Sequence, residues 1–151
     1  MHLRILPAGK LRDPAVAAIC AEFQKRLGAY HRLEVTEVRA SSGSDPAKAI
    51  REEGERALKA AGTGVLWLLD RDGTELSSEA LTAKVIELES HGRPLTLVIG
   101  GTFGTSQAVR KRADFIWSLS KLTFLHEWAR MLVLEQLYRA AKIARSEPYH
   151  H

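Results

Sequence analysis

Leu95-Thr96-Leu97-Val98-Ile99-Gly100-Gly101-Thr102-Phe103-Gly104 is the stretch that decides the fold. An almost wholly apolar run rich in strand-favouring residues stops at a glycine cluster, the pattern of a strand covered on both faces. Val65-Leu66-Trp67-Leu68-Leu69 repeats it and is broken by Asp70-Arg71-Asp72-Gly73. Strands buried on both sides belong to parallel sheets, and parallel neighbours need helical crossovers. Around these two, the chain alternates accordingly. Residues 3–8 read as an opening strand closed by Gly9, residues 33–38 as a second and residues 115–119 as the last. Asp13-Pro14 and Asp45-Pro46 each pair a capping acid with a proline preset for the first helical position. The first of these helices carries Val16, Ile19, Cys20, Phe23 and Leu27 on one stripe and ends at Gly28; the second turns Ile50, Ala57 and Leu58 inward. Ser77 caps a third helix bearing Leu81, Val85 and Leu88, a short one covers 106–113, and a long one covers 127–144. The expected architecture is an α/β domain with a mostly parallel sheet and helices on both faces, a single domain over 1–151. In such folds ligands bind beyond the carboxyl ends of the strands, here the loops after Leu69, after Ile99 and around 119–126.

The chain of 151 residues, 45% hydrophobic and 26% charged, buries a full core without metals or disulfides. Its single cysteine, Cys20, excludes an internal disulfide, and its place on the apolar stripe makes it a core thiol rather than a nucleophile. A net charge of +4 favours an anionic partner without identifying one. No stretch approaches a membrane span and the N-terminus lacks a signal-type apolar region, so the expected location is the cytoplasm. The six histidines show no metal-ligand spacing, so no metal is expected.

Four segments carry candidate chemistry. The cluster 100–104 is neither a dinucleotide fingerprint nor a phosphate loop with its lysine; it is a sharp turn, or a place where a ligand meets the backbone. Ser118-Leu119-Ser120-Lys121-Leu122-Thr123-Phe124-Leu125-His126 interleaves hydroxyls and an imidazole with apolar residues. It reads equally as a strand followed by a cap, with Thr123 or His126 serving the helix amides, and as a loop holding an uncharged heteroaromatic ring. Asp70 either binds a ribose or orients its own turn. Beyond it, the final helix presents Trp128, Met131, Leu132, Leu134, Leu137, Tyr138 and Ala141, a surface broader than one sheet face needs, which suggests a partner helix from a second copy. Glu135 and Arg139 are spaced as an ion pair, and Pro148-Tyr149-His150 ends the chain with groups able to stack on a base or move a proton.

Taken together, Leu69-Asp70 with Gly73, Leu97-Val98-Ile99-Gly100-Gly101 with Gly104, the 118–126 run, Arg130, Glu135-Gln136-Leu137-Tyr138-Arg139-Ala140 with Ile143, and Pro148-Tyr149-His150 make a pattern found elsewhere. It resembles the small bacterial methyltransferases that modify N3 of a pseudouridine in large-subunit ribosomal RNA, members of the SPOUT superfamily of knotted methyltransferases. The resemblance spans essentially the whole chain and is densest after Leu95. It implies a C-terminal trefoil knot, S-adenosylmethionine as methyl donor, and a homodimer whose active site uses both subunits. By position it assigns cofactor contacts to Leu69, to Gly100, Gly101 and Gly104, and to Leu119, Ser120, Lys121, Leu122, Thr123 and Phe124, with His126 close by. Tyr149 and His150 would face the target nucleotide, with His150 or His126 taking the N3 proton, and Arg4 and Arg139 would bind phosphates of the RNA. The chain departs from the family at Phe103, where an acid is common, and at Leu125, where a proline usually precedes the histidine. A non-catalytic ribosome-binding protein with a pocket decayed at those two positions is the alternative reading.

Overall fold

Two aspartates start the helices. Asp13 accepts hydrogen bonds from the amides of Ala15 and Val16, and Asp45 from those of Ala47 and Lys48, each followed by its proline. The computed structural model, which describes residues 1–149, accordingly begins with β1 (His2–Pro7), α1 (Pro14–Gly28), β2 (Arg32–Val35) and α2 (Pro46–Ala61). After them come β3 (Val65–Glu75), α3 (Ser78–Ser90), β4 (Leu95–Ile99), α4 (Gln107–Arg112), β5 (Phe115–Ser118) and α5 (His126–Ala144). Ser77 caps α3 through the Ala80 amide, as expected.

The five strands form one sheet in the order β2-β1-β4-β3-β5, and every pairing is parallel. Alternate residues feed two cores. Leu3, Ile5, Trp67, Leu97 and Trp117 face α1, α3 and α5, meeting Cys20, Val85 and Leu134 among others. Leu6, Leu66, Leu68 and Val98 face α2 and α4, where Ala57, Ala61 and Val109 complete a thinner layer. Burying both sides of the central strands is why they read as unbroken apolar runs. On the thinner side α2 approaches α4 so closely that a Cβ on Gly54 would lie 2.3 Å from the Ser106 hydroxyl oxygen.

The structure corrects several local expectations. β3 does not end at Asp70: it loops out between Leu69 and Thr74, both of which pair with Trp117, and runs on to Glu75. A Cβ on Gly73 would sit 2.6 Å from the Ile116 carbonyl oxygen, so the strand returns to β5 at a point where only glycine fits. β2 stops at Val35, and Val38 makes only an isolated bridge to Ala8. Ile19 is 42% exposed on the flank of α1, while Val16, Cys20 and Leu27 are buried. On α2, Ala49 and Gly54 join Ala57 in the buried positions, leaving Ile50 and Leu58 half-covered. Neither Thr123 nor His126 caps α5; the N-cap is Leu125, with no side-chain hydrogen bond. Cys20 is fully buried, and burial raises its thiol pKa, as suits a core residue.

Candidate active site

The carboxyl edge of the sheet opens into a cleft of about 570 Å³. Its walls are the loop-out of β3, the glycine segment after β4, and the crossing segment between β5 and α5. Of the residues assigned to a cofactor, Leu69, Gly100, Gly101, Gly104, Leu119, Ser120, Leu122, Thr123 and Phe124 all line this cleft. Lys121 does not; its exposed side chain lies outside it. His126 lines the cleft too, at the first turn of α5.

Each wall is held by its own chemistry. Gly101 and Gly104 pair across a tight turn, the Gly104 amide donating to the Gly101 carbonyl at 3.0 Å, with Gly104 at φ 96°. That positive φ requires glycine. A Cβ on Gly100 would meet the Thr105 hydroxyl oxygen at 2.3 Å, and one on Gly101 would meet a Glu53 carboxylate oxygen at 2.5 Å. Gly100, hemmed in by Thr105 and the Gly104 backbone, and Gly104, by its φ, are therefore needed by the turn itself, while all three glycines line the cleft.

Asp70 settles its own turn by accepting the Asp72 amide at 2.9 Å, and its other carboxylate oxygen is gripped by the Arg110 guanidinium. With 16% of its side chain exposed, it is a paired, orienting acid. Arg71 reaches across to donate to the Thr123 hydroxyl at 3.0 Å, while its carbonyl accepts from the Ser118 hydroxyl at 3.1 Å. Ser118 also donates to the Ser120 carbonyl, and the Ser120 hydroxyl takes the Leu122 amide. These bonds tie the crossing segment onto the β3 loop-out. Neither Arg71 nor Arg110 was singled out in the sequence, because their role depends on a neighbour far along the chain.

The rim is apolar. Phe103, Leu122 and Leu125 line the mouth of the cleft and are 46%, 71% and 67% exposed; Trp128, on the first turn of α5, is 48% exposed. Trp128 and Leu125 are not drawn into the protein's own core, whereas Met131, Leu134, Leu137 and Tyr138 are.

The remaining candidates lie elsewhere. Tyr149 packs edge-on against Tyr138 at 4.9 Å between centroids, beneath the Arg139 guanidinium at 4.7 Å, and donates its hydroxyl to Glu135 at 3.1 Å. Burial, then the Glu135 charge, raises its phenol pKa. Arg139 pairs with Glu135 at 2.7 Å, as its spacing suggested. This group sits well down α5: Glu135 follows His126 by nine residues, about 14 Å along the axis at ~1.5 Å per residue. Arg4 is on β1, donating to Glu34 and to the Ala60 carbonyl of α2, away from the cleft. His150 lies outside the described residues. Among the described residues no cluster of His, Cys, Asp or Glu is arranged to hold a metal, and no helix is long and apolar enough to cross a membrane.

A family profile described as "Predicted SPOUT methyltransferase" matches residues 1–150. Ribosomal RNA large subunit methyltransferase H of Gloeobacter violaceus is 41% identical over 152 residues, covering 100% of this chain and 99% of the relative. The protein of the same name from Desulfitobacterium hafniense is 40% identical over 158 residues, covering 99% of each. Among solved structures, a tRNA (m1G37) methyltransferase from Aquifex aeolicus superposes with a TM-score of 0.55 at 18% identity, covering all of this chain and 75% of the other.

Proposed function

The chain belongs to the SPOUT methyltransferase family, and on that premise we propose that it methylates N3 of a pseudouridine in large-subunit ribosomal RNA, using S-adenosylmethionine. Full-length likeness to relatives named for large-subunit ribosomal RNA carries the substrate. We read the chain as one domain with the trefoil knot of its family, working in the cytoplasm where assembled ribosomes are found.

The cleft fits the cofactor. Its volume lies within the ~300–1,000 Å³ of small-molecule sites, and its lining offers what a nucleoside needs. Leu69, Ile99, Leu119, Leu122 and Phe124 provide apolar surface, while Thr102, Ser120 and Thr123 bring hydroxyls. The acid at its edge, Asp70, is already neutralised by Arg110. When bound, S-adenosylmethionine supplies an electrophilic methyl on its sulfonium. The chain's own task is then to align the acceptor and remove the N3 proton. His150, at the tail, or His126, at the cleft, takes that proton in this proposal. Tyr149 stacks on or hydrogen-bonds the base, and Arg139 beside it takes a phosphate. Phe103 and Leu125 stand on the rim, largely exposed, and neither closes the opening, which favours a working pocket over a decayed one.

Two features support reading the protein as a homodimer. Tyr149 is held against Glu135, nine residues (about 14 Å of helix rise) beyond His126, so a twin subunit's tail is the natural one to reach the acceptor. Phe103, Leu122 and Leu125 on the rim, with Trp128 on the first turn of α5, are exposed apolar surface that a second copy would cover.

The single observation that carries this reading is the convergence of every assigned cofactor residue except Lys121 on one cleft at the carboxyl edge of the sheet. Incubating the protein with methyl-labelled cofactor and assembled large subunits tests it. Label in the ribosomal RNA is expected; unlabelled RNA would refute the reading.

A further inference from the structure

The end of α5 is fastened more firmly than a chain terminus requires. The Arg145 and Glu147 amides return to the Lys142 carbonyl at 3.2 and 3.0 Å, and the Ser146 amide to Ile143 at 3.0 Å. Ser146 sits at φ 53°, the left-handed residue that closes a helix and is usually glycine. A serine stays there when its surroundings impose it. The next residue is held from two sides. Glu147 accepts the Tyr30 hydroxyl at 2.6 Å and the Lys142 ammonium at 2.5 Å on the same carboxylate oxygen. Arg145 covers the Tyr30 ring at 4.9 Å.

Tyr30 follows the end of α1, so the clasp binds the tail to a second helix as well as to its own. The Lys142 hydrogen bond first, and Tyr30 second, hold the Glu147 carboxyl below the usual carboxylate range, so the grip is charged at neutral pH. Only Pro148, with its restricted φ, stands between this anchor and Tyr149. Tyr149 then lands between Tyr138, Arg139 and Glu135.

We infer that Glu147, gripped by Tyr30 and Lys142, is a positioning residue that sets the path of the terminal tail and thereby presents Tyr149 to the acceptor nucleotide. The inference rests on the reading that Tyr149 and His150 act on that nucleotide. Pre-organising the tail removes an ordering cost that would otherwise fall on the transfer step, so the clasp acts on turnover and leaves cofactor binding alone.

Two measurements on the full-length protein test it, using E147A, E147Q and Y30F. In carbon-13 tyrosine spectra, the Tyr138 ring resonances of E147A should move to those of a chain ending at Pro148, because the Tyr149 ring no longer lies against them. Unchanged resonances would overturn the clasp, whatever the activity. In methyl transfer to large subunits, kcat should fall about tenfold in E147A and Y30F, roughly 1.4 kcal/mol. The dissociation constant for S-adenosylmethionine should stay within twofold, and E147Q, which keeps an oxygen for Tyr30, should recover part of the loss. Resonances that move while kcat holds would overturn the positioning role. A wild-type protein that methylates no RNA would instead refute the functional reading, leaving the spectral result to judge the clasp alone.

Discussion

Arg71 and Thr123 join two walls of the cleft: the guanidinium donates to the threonine hydroxyl at 3.0 Å, linking the β3 loop-out to the segment that leads into α5. The contact is exposed, so its value lies in ordering the wall more than in holding the fold.

Replacing Arg71 by alanine should therefore weaken S-adenosylmethionine binding about three- to tenfold, the worth of one hydrogen bond of ~1 kcal/mol. Unfolding stability should change by less than about 0.5 kcal/mol, as for most surface substitutions. Calorimetric titration and urea unfolding separate the two. Full affinity with lost stability would contradict the assignment.

Two glycines should respond oppositely to alanine. A Cβ on Gly73 meets backbone at Ile116, which cannot yield cheaply, so G73A should destabilise by about 1–3 kcal/mol through overpacking. A Cβ on Gly28 meets nothing within 4 Å, so G28A should be neutral or stabilise by about 0.4–1 kcal/mol. Urea midpoints measured side by side check both.

How much of this was readable before the structure follows from what each signal is. Asp13-Pro14, Asp45-Pro46 and Ser77 act on amides two or three residues away, and all three helices begin where those residues place them. The carboxyl-edge position of the cleft followed from the buried strands Val65–Leu69 and Leu95–Ile99. The Asp70-to-Gly73 segment was misjudged because an Asp-Gly turn reads as a strand end, while its return depends on pairing with β5 some forty residues on, which no local pattern contains. The Arg71–Thr123 and Glu147–Tyr30 contacts escaped for the same reason.

His31 gives the protein a pH dependence. It is 4% exposed, and burial lowers its pKa from 6.5 to about 4, with the Met1 amino group and Arg145 adding to the shift and Glu89 opposing it. The unfolded chain then binds the proton more readily than the folded one. The stabilisation from keeping His31 neutral is full above pH ~6.5 and is lost as pH falls toward ~4, amounting to at most about 3 kcal/mol. Urea unfolding of wild type and H31Q across that window checks this: the slope with pH should flatten in the variant.

The exposed apolar side chains at the rim and at Trp128 are the surface a second copy would cover. Trp128→Glu, at a residue 48% exposed, should leave the fold intact while shifting sedimentation from dimer to monomer. Because the tail would then lack a neighbouring cleft, methyl transfer should be lost with it. A monomeric wild type, or a fully active monomeric variant, would exclude a shared site.

The most direct measurement is a mass-spectrometric map of large-subunit ribosomal RNA from cells with and without this protein. The account predicts one pseudouridine that carries a methyl group in the first and lacks it in the second, restored by the wild-type chain and not by a variant with a blocked cleft. An RNA modified identically in both would contradict it.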